Sequence, residues 1–157
     1  MKPKYLNTFR SKALKGIVSI EFVLMMTTVF TPIVIGTLEV GRVFYQYNTI
    51  TKAVRGGVRY ISLYSATDPN YDAKKTEAIN LVLKGNTAGT GNLLVPGLDN
   101  TPMVTMVSIN TISVATAGSI KLVTVTVTGF KLGYITNYFA GNKAFNVISA
   151  SMRQATT

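Results

Sequence analysis

From Phe22 to Leu38 the chain runs seventeen residues without a charged side chain, FVLMMTTVFTPIVIGTL, and any fold must first accommodate that run. Extended back to Ile17 and interrupted only by Glu21, the apolar stretch reaches 22 residues. A helix needs about 20 apolar residues to cross a bilayer core. A buried core helix would be shorter or amphipathic. A cleaved secretory signal would carry an apolar region of about 7–15 residues ending at a small-x-small site. No A-x-A follows this run, so it reads as a retained anchor, a transmembrane helix over residues 17–41.

The charge is arranged around that anchor. A net charge of +10 resembles a nucleic-acid footprint until its distribution is considered. Lys2, Lys4, Arg10, Lys12 and Lys15 all precede Gly16, with no acidic residue among them, so residues 1–16 form a basic leader. The positive-inside rule then puts the N-terminus in the cytoplasm and residues 42–157 on the far side of the membrane. Lys52, Arg55 and Arg59 on that far side weaken the asymmetry. The chain has neither Cys nor His, which excludes disulfides, thiolate zinc sites and histidine acid–base chemistry.

Beyond the anchor, Val40, Val43, Phe44, Tyr47, Ile50, Val54, Val58 and Ile61 recur at three- and four-residue steps, one face of a helix continuing to about Tyr64. Pro32, Gly36, Gly41 and Gly56-Gly57 are places where such a helix bends. Ser65–Asn70 reads as a turn around Asp68-Pro69-Asn70. Asp72 opens a short helix, Ala73–Lys84, with Ala78, Ile79, Leu81 and Val82 as its apolar side and Gly85 as its stop. Residues 85–102 make a long loop. Strands are expected at Met103–Val114, Ile120–Thr128 and Ala144–Arg153, with a turn at Thr116–Ser119 and an aromatic connection, Phe130 to Phe139, holding a helical turn. The fold class is α+β: a long membrane-spanning helix continues into an amphipathic stem that packs against a small antiparallel sheet. The stem face expected under the sheet carries Val43, Tyr47, Ile50, Val54 and Ile61.

The junction Lys15-Gly16-Ile17-Val18-Ser19-Ile20-Glu21-Phe22 is the most informative spot. A carboxylate within an apolar membrane segment costs about 2.5–3.5 kcal/mol near the bilayer centre. Glu21 lies only about 7 Å from the segment's start, at helical rise, so its cost is lower. It either reaches back to the head groups or pairs with a positive partner. A cut after Gly16 would supply that partner as a free amine on Ile17, with a reference pKa near about 8.

A basic leader ending in Gly, four apolar or small residues, then Glu-Phe and a long apolar helix resembles the prepilin cleavage signal of type IV filament subunits. More narrowly, the chain resembles the TadE-like minor pseudopilins of the Flp, or tight-adherence, pilus. The residues that carry the likeness are Glu21-Phe22, Pro32, Leu38-Glu39-Val40-Gly41-Arg42, Ala53 through Tyr60 and the closing Ser151-Met152-Arg153. In the Ala53–Tyr60 stretch Gly57, not Gly56, holds the family's glycine position, a departure by one residue. The resemblance implies a cleavage site at Gly16 and Ile17, with Glu21 and Phe22 serving assembly through the new amine. Its implied partners are a prepilin peptidase, other pilins or pseudopilins, pilus assembly platform proteins and the membrane. It implies neither nucleic acid nor a small-molecule substrate, and a structural part of the bacterial cytoplasmic membrane rather than an enzyme. Two rivals remain: an uncleaved single-pass protein with a ligand-binding outer domain, and a pseudopilin of a type II secretion or DNA-uptake machine.

Other sites are plainer. Glu39 and Arg42, three apart, read as an interfacial ion pair worth a few tenths of a kcal/mol, about the usual figure for such spacing. Arg55 and Arg59 read as a solvated helix face in preference to a site for an anion or polysaccharide. Asp68 and Asp72 read as capping residues, and no acidic pair has metal-loop spacing. Gly85 to Gly91 is glycine-rich but lacks the Gly-Lys-Ser/Thr ending of a phosphate loop. No cofactor, metal or catalytic residue is expected.

Overall fold

The computed structural model describes the backbone of residues 6–101, 104–105, 107–114, 120–130 and 146–155, and side chains within 16–99, 107–113, 120–130 and 146–155. The chain divides into two compact units, Met1–Gly41 and Arg42–Thr157. Helix α1 spans Leu6–Ser62 with Pro32 inside it. It starts earlier than Ile17 because Leu6 to Lys15 is rich in helix formers, and a lone Gly16 costs only about 1 kcal/mol. Pro32 removes the amide that would bond the Thr28 carbonyl, yet the helix continues through it.

In the second unit the end of α1 meets α2, Tyr71–Lys84, through a tight connection. The Asn70 amide donates to Asp68 Oδ1 at 2.8 Å, and the Tyr71 amide to the Asp68 carbonyl at 3.0 Å. Asp68 thus shapes the turn, while Asp72 lies inside the first turn of α2 and binds Lys75 at 3.1 Å instead of capping. Gly85 ends α2 in the left-handed conformation, φ 76°, and its amide donates to the Leu81 carbonyl, as a C-terminal glycine stop requires. The buried side of α2 is Tyr71, Ala78, Val82 and Leu83; the expected Ile79 and Leu81 are only partly covered. Loop residues 85–99 fold on themselves: Lys84 Nζ donates to the Gly89 carbonyl at 2.6 Å, and Asn86 bonds Thr90 through both ends of its amide. That loop buries Val95 and Leu98 in the core.

The strands follow. Short β1, Asn100–Thr101, pairs antiparallel with β2, Val104–Thr105. A separate antiparallel sheet has the order β3-β4-β5, with β3 Val107–Val114, β4 Ile120–Val127 and β5 Ile148–Arg153. The placing of β2 and β3 in different sheets and the later start of β5 are where the structure departs from the expected strands. The expected turn at 116–119 and the helical turn beyond Phe130 lie outside the described residues. In β4 the alternation is as its sequence dictates: Val123, Val125 and Val127 are buried while Thr124 and Thr126 are partly exposed. On the outer face Thr124 bonds Ser151 at 2.7 Å, a register pair of β4 and β5. After β5, the Gln154 side chain donates to the Tyr64 carbonyl and the Ala155 amide to that of Ser62, both at 2.8 Å, fastening the chain end to the end of α1.

Core residues from α1 are Ile50, Val54, Val58 and Ile61. Tyr47, expected inside, is 43% exposed, and Val43 is only partly buried. The polar Gln46 is buried in their stead, because it stands four residues before Ile50 on the line of the core. Two contacts join α1 to α2. At the first, a Cβ on Gly57 would come within 2.5 Å of Val82 Cγ2 and 3.4 Å of the Ala78 carbonyl, so only glycine lets the helices meet. A Cβ on the adjacent Gly56 would meet nothing within 4 Å. At the second, the Tyr60 hydroxyl donates to Glu77 Oε2, and Lys74 Nζ lies 3.0 Å from both carboxylate oxygens and 5.3 Å from the Tyr64 ring centroid. The Tyr60 bond, then Lys74, holds the Glu77 carboxyl below its ordinary value, and the carboxylate in turn raises the Tyr60 phenol and the Lys74 ammonium.

Two measurements on the full chain in detergent check these contacts. Gly57→Ala should lower the melting temperature, at a cost of about 1–3 kcal/mol for overpacking. Gly56→Ala should leave it unchanged or raise it, by up to about 1 kcal/mol of helix propensity. Equal effects would place the crossing elsewhere. The Glu77 carboxyl, depressed in the folded state, contributes stability above its unfolded value of 4.5 that is lost as pH falls through the folded value. Lys74, raised above 10.5, keeps its share until pH rises through that range. Wild-type stability from this cluster should therefore be level from about pH 5 to 10 and fall in acid, and Glu77→Gln should shrink the acid fall. An acid limb unaltered by that change would show that the cluster does not couple to folding.

Candidate functional site

Between Ile17 and Val40 fourteen large apolar side chains of α1 are 41% to 65% exposed. Soluble surfaces rarely carry a contiguous apolar area of that extent. Length and composition make this the single described helix able to cross a membrane, close to the N-terminus and with none of its most apolar window buried by protein. Its threonines are compatible with lipid. Thr27, Thr28 and Thr37 each turn their hydroxyl back onto the carbonyl four residues earlier, at 2.8, 2.8 and 2.9 Å. A hydroxyl so used presents no unmet donor to hydrocarbon.

The junction residues all lie on this helix. Gly16 has open space around it, since a Cβ there would meet nothing within 4 Å, so folding does not demand glycine at that position. Ile17 is 61% exposed, and Glu21, also exposed, stands one turn further along the same face. Phe22 is 59% exposed and points off to one side of that pair. The helix thus brings Ile17 and Glu21 together and leaves Gly16 accessible, while Phe22 adds apolar surface.

Glu39 is less exposed than the sequence suggested. It is buried to 5% exposure, whereas Arg42, its expected partner, is partly exposed. Within the second unit Gln46 stands four residues before Ile50 on the line of the core, and that spacing was the available signal for its burial. In the second unit an apolar groove of about 340 Å³ is lined by Thr49, Lys52, Ala53, Gly56, Leu81, Gly85 and Leu94. Among the described residues no group of three or more acidic residues is placed to hold a metal ion.

Comparison with curated proteins gave no match, and comparison with solved structures gave none either. Residues 16–59, from the junction glycine through the apolar segment and the α1 stem, match the family model described as TadE-like protein, so this segment of the chain is similar to that family.

Proposed function

We propose that this protein is a minor pseudopilin of a tight-adherence pilus. A prepilin peptidase cuts it between Gly16 and Ile17, and the product takes part in pilus assembly at the cytoplasmic membrane as a structural component. Its N-terminus faces the cytoplasm and residues 42–157 lie outside. The observation that carries this reading is the extent of the family match, which begins at Gly16 itself and takes in Glu21 and the stem through Arg59.

The chemistry follows from helix geometry. A cut at Gly16 makes Ile17 the first residue of a helix and exposes an amine whose ordinary pKa is about 8. Glu21 then stands one turn from that amine, near the positive end of the helix dipole, where a carboxylate is favoured. In lipid the two charges attract strongly, within one chain or between neighbouring subunits, and pairing between subunits fixes their axial register. Before the cut Glu21 has no new amine to meet. Cleavage is therefore what turns an awkward intramembrane carboxylate into a docking group. Partners on this reading are the peptidase, other pilins or pseudopilins, and the assembly platform.

Protein recovered from native membranes should begin at Ile17, and Gly16→Leu should leave the precursor uncut, because a bulky side chain obstructs the peptidase at the backbone. An intact Met1 on the mature wild type would refute processing. Glu21→Gln should still be cut and inserted but should co-purify poorly with the assembly complex. Removing one member of a buried pair costs about 3–5 kcal/mol, and each 1.4 kcal/mol is about tenfold in an equilibrium. Equal recovery of Glu21→Gln and wild type would leave Glu21 as a residue that merely reaches the head groups.

A further inference from the structure

The side of the α1 stem turned away from the core carries a row of cations. Lys52, Arg55 and Arg59 are all exposed and stand three and four residues apart, on the opposite side of the helix from Ile50, Val54 and Ile61. At helical rise they occupy about 10 Å of the axis. The ion pairs among the described residues, Lys74 with Glu77 and Lys75 with Asp72, are both within α2, so neither takes a cation of this row. Arg59 is favoured by its place in the last turn of α1, where the helix dipole attracts positive charge. That explanation does not extend to Lys52 or Arg55. Apolar side chains bracket the row, with Phe44 63% and Tyr45 68% exposed before it and Leu63 70% exposed after it.

We propose that this face docks an acidic helix of a different protein, one whose carboxylates recur at three- and four-residue spacing between apolar residues. Charge complementarity selects that occupant. A second copy of the chain cannot supply the row of carboxylates: residues 42–157 hold only Asp68, Asp72, Glu77 and Asp99, of which Asp72 and Glu77 are taken by the α2 lysines. Two copies meeting through this face would oppose like charges. A small anion finds no enclosure on a convex helix face. A nucleic acid would neutralise the cations but leave Phe44 and Leu63 against a polar backbone, whereas helix-on-helix packing buries them. The surface therefore favours a heteromeric neighbour over self-stacking. It rests on the stem's charge and exposure alone and holds whether or not the leader is removed.

The test uses the full chain in zwitterionic detergent micelles and a synthetic helical peptide with Glu at positions i, i+3 and i+7 between leucines. A second peptide of the same composition has its Glu residues scattered around the helix. The striped peptide should bind at least about tenfold tighter than the scattered one, and its affinity should fall as salt is added. The double variant Arg55→Glu, Arg59→Glu should lose the Glu peptide and gain affinity for a peptide with Lys in place of Glu. This exchange of partners is something a misfolded variant would not show. The uncut Gly16→Leu chain should bind like wild type, which separates this inference from the processing reading. Equal binding of striped and scattered peptides would overturn it. So would tighter binding to duplex DNA than to the striped peptide, or self-association of the wild type that the double variant abolishes.

Discussion

A segment that meets lipid must satisfy every backbone donor and acceptor within itself, and a single helix does this for residues 17–38. The same helix must then offer a core-forming face to water-soluble structure, and the change of environment is written in which side chains it exposes. Along the first part, Ile17 to Val40, large apolar groups stand out on all sides, and Thr27, Thr28 and Thr37 fold their hydroxyls onto the backbone. Along the second, apolar residues retreat to one side, at Ile50, Val54, Val58 and Ile61, and Lys52, Arg55 and Arg59 take the other. Periodicity alone distinguishes the two halves: apolar all round in lipid, apolar on one stripe in a domain.

Within the second unit, stability depends on how closely α2 approaches that stripe. Gly57 opens the space that Val82 fills, and Tyr60, Glu77 and Lys74 close the partly exposed end of the same contact with charge-assisted bonds. Lys74 and Glu77 keep about 27% and 31% of their side-chain surface in water, so screening keeps the ion pair modest and the packing at Gly57 contributes more. Of the glycine pair in the sequence, this accounts for Gly57. Gly56 faces open space and Gly57 faces α2.

The sequence made the long helix, the α2 stop at Gly85 and the alternation of β4 legible because each rests on local chemistry: a charge-free run, a left-handed glycine, a valine–threonine alternation. It misled where burial depends on what lies across the core. Tyr47 fits the apolar period yet stays exposed, while Gln46, polar and so passed over in a search for apolar residues, is buried one turn before Ile50. Met103 to Val114 reads as one strand, yet within it Val104–Thr105 pairs with β1 while Val107–Val114 belongs to the other sheet, which no local preference marks. Of the junction, the order Gly16-Ile17 and the one-turn interval to Glu21 are pure sequence, and the helix supplies only the shared face. The α2 side of the Gly57 contact was invisible, because a glycine's neighbour is set by tertiary structure.

One helix, α1, carries both the apolar segment and the start of the second unit, and cysteine accessibility tests most directly whether that segment lies in lipid, since the chain has no cysteine of its own. Thr31→Cys lies at an exposed position of α1, and Leu63→Cys at an exposed position just past its end. In intact spheroplasts a membrane-impermeant maleimide should label Leu63→Cys readily and leave Thr31→Cys unlabelled until detergent is added. Labelling of Thr31→Cys as fast as Leu63→Cys in intact spheroplasts would place the apolar segment in water and contradict the account.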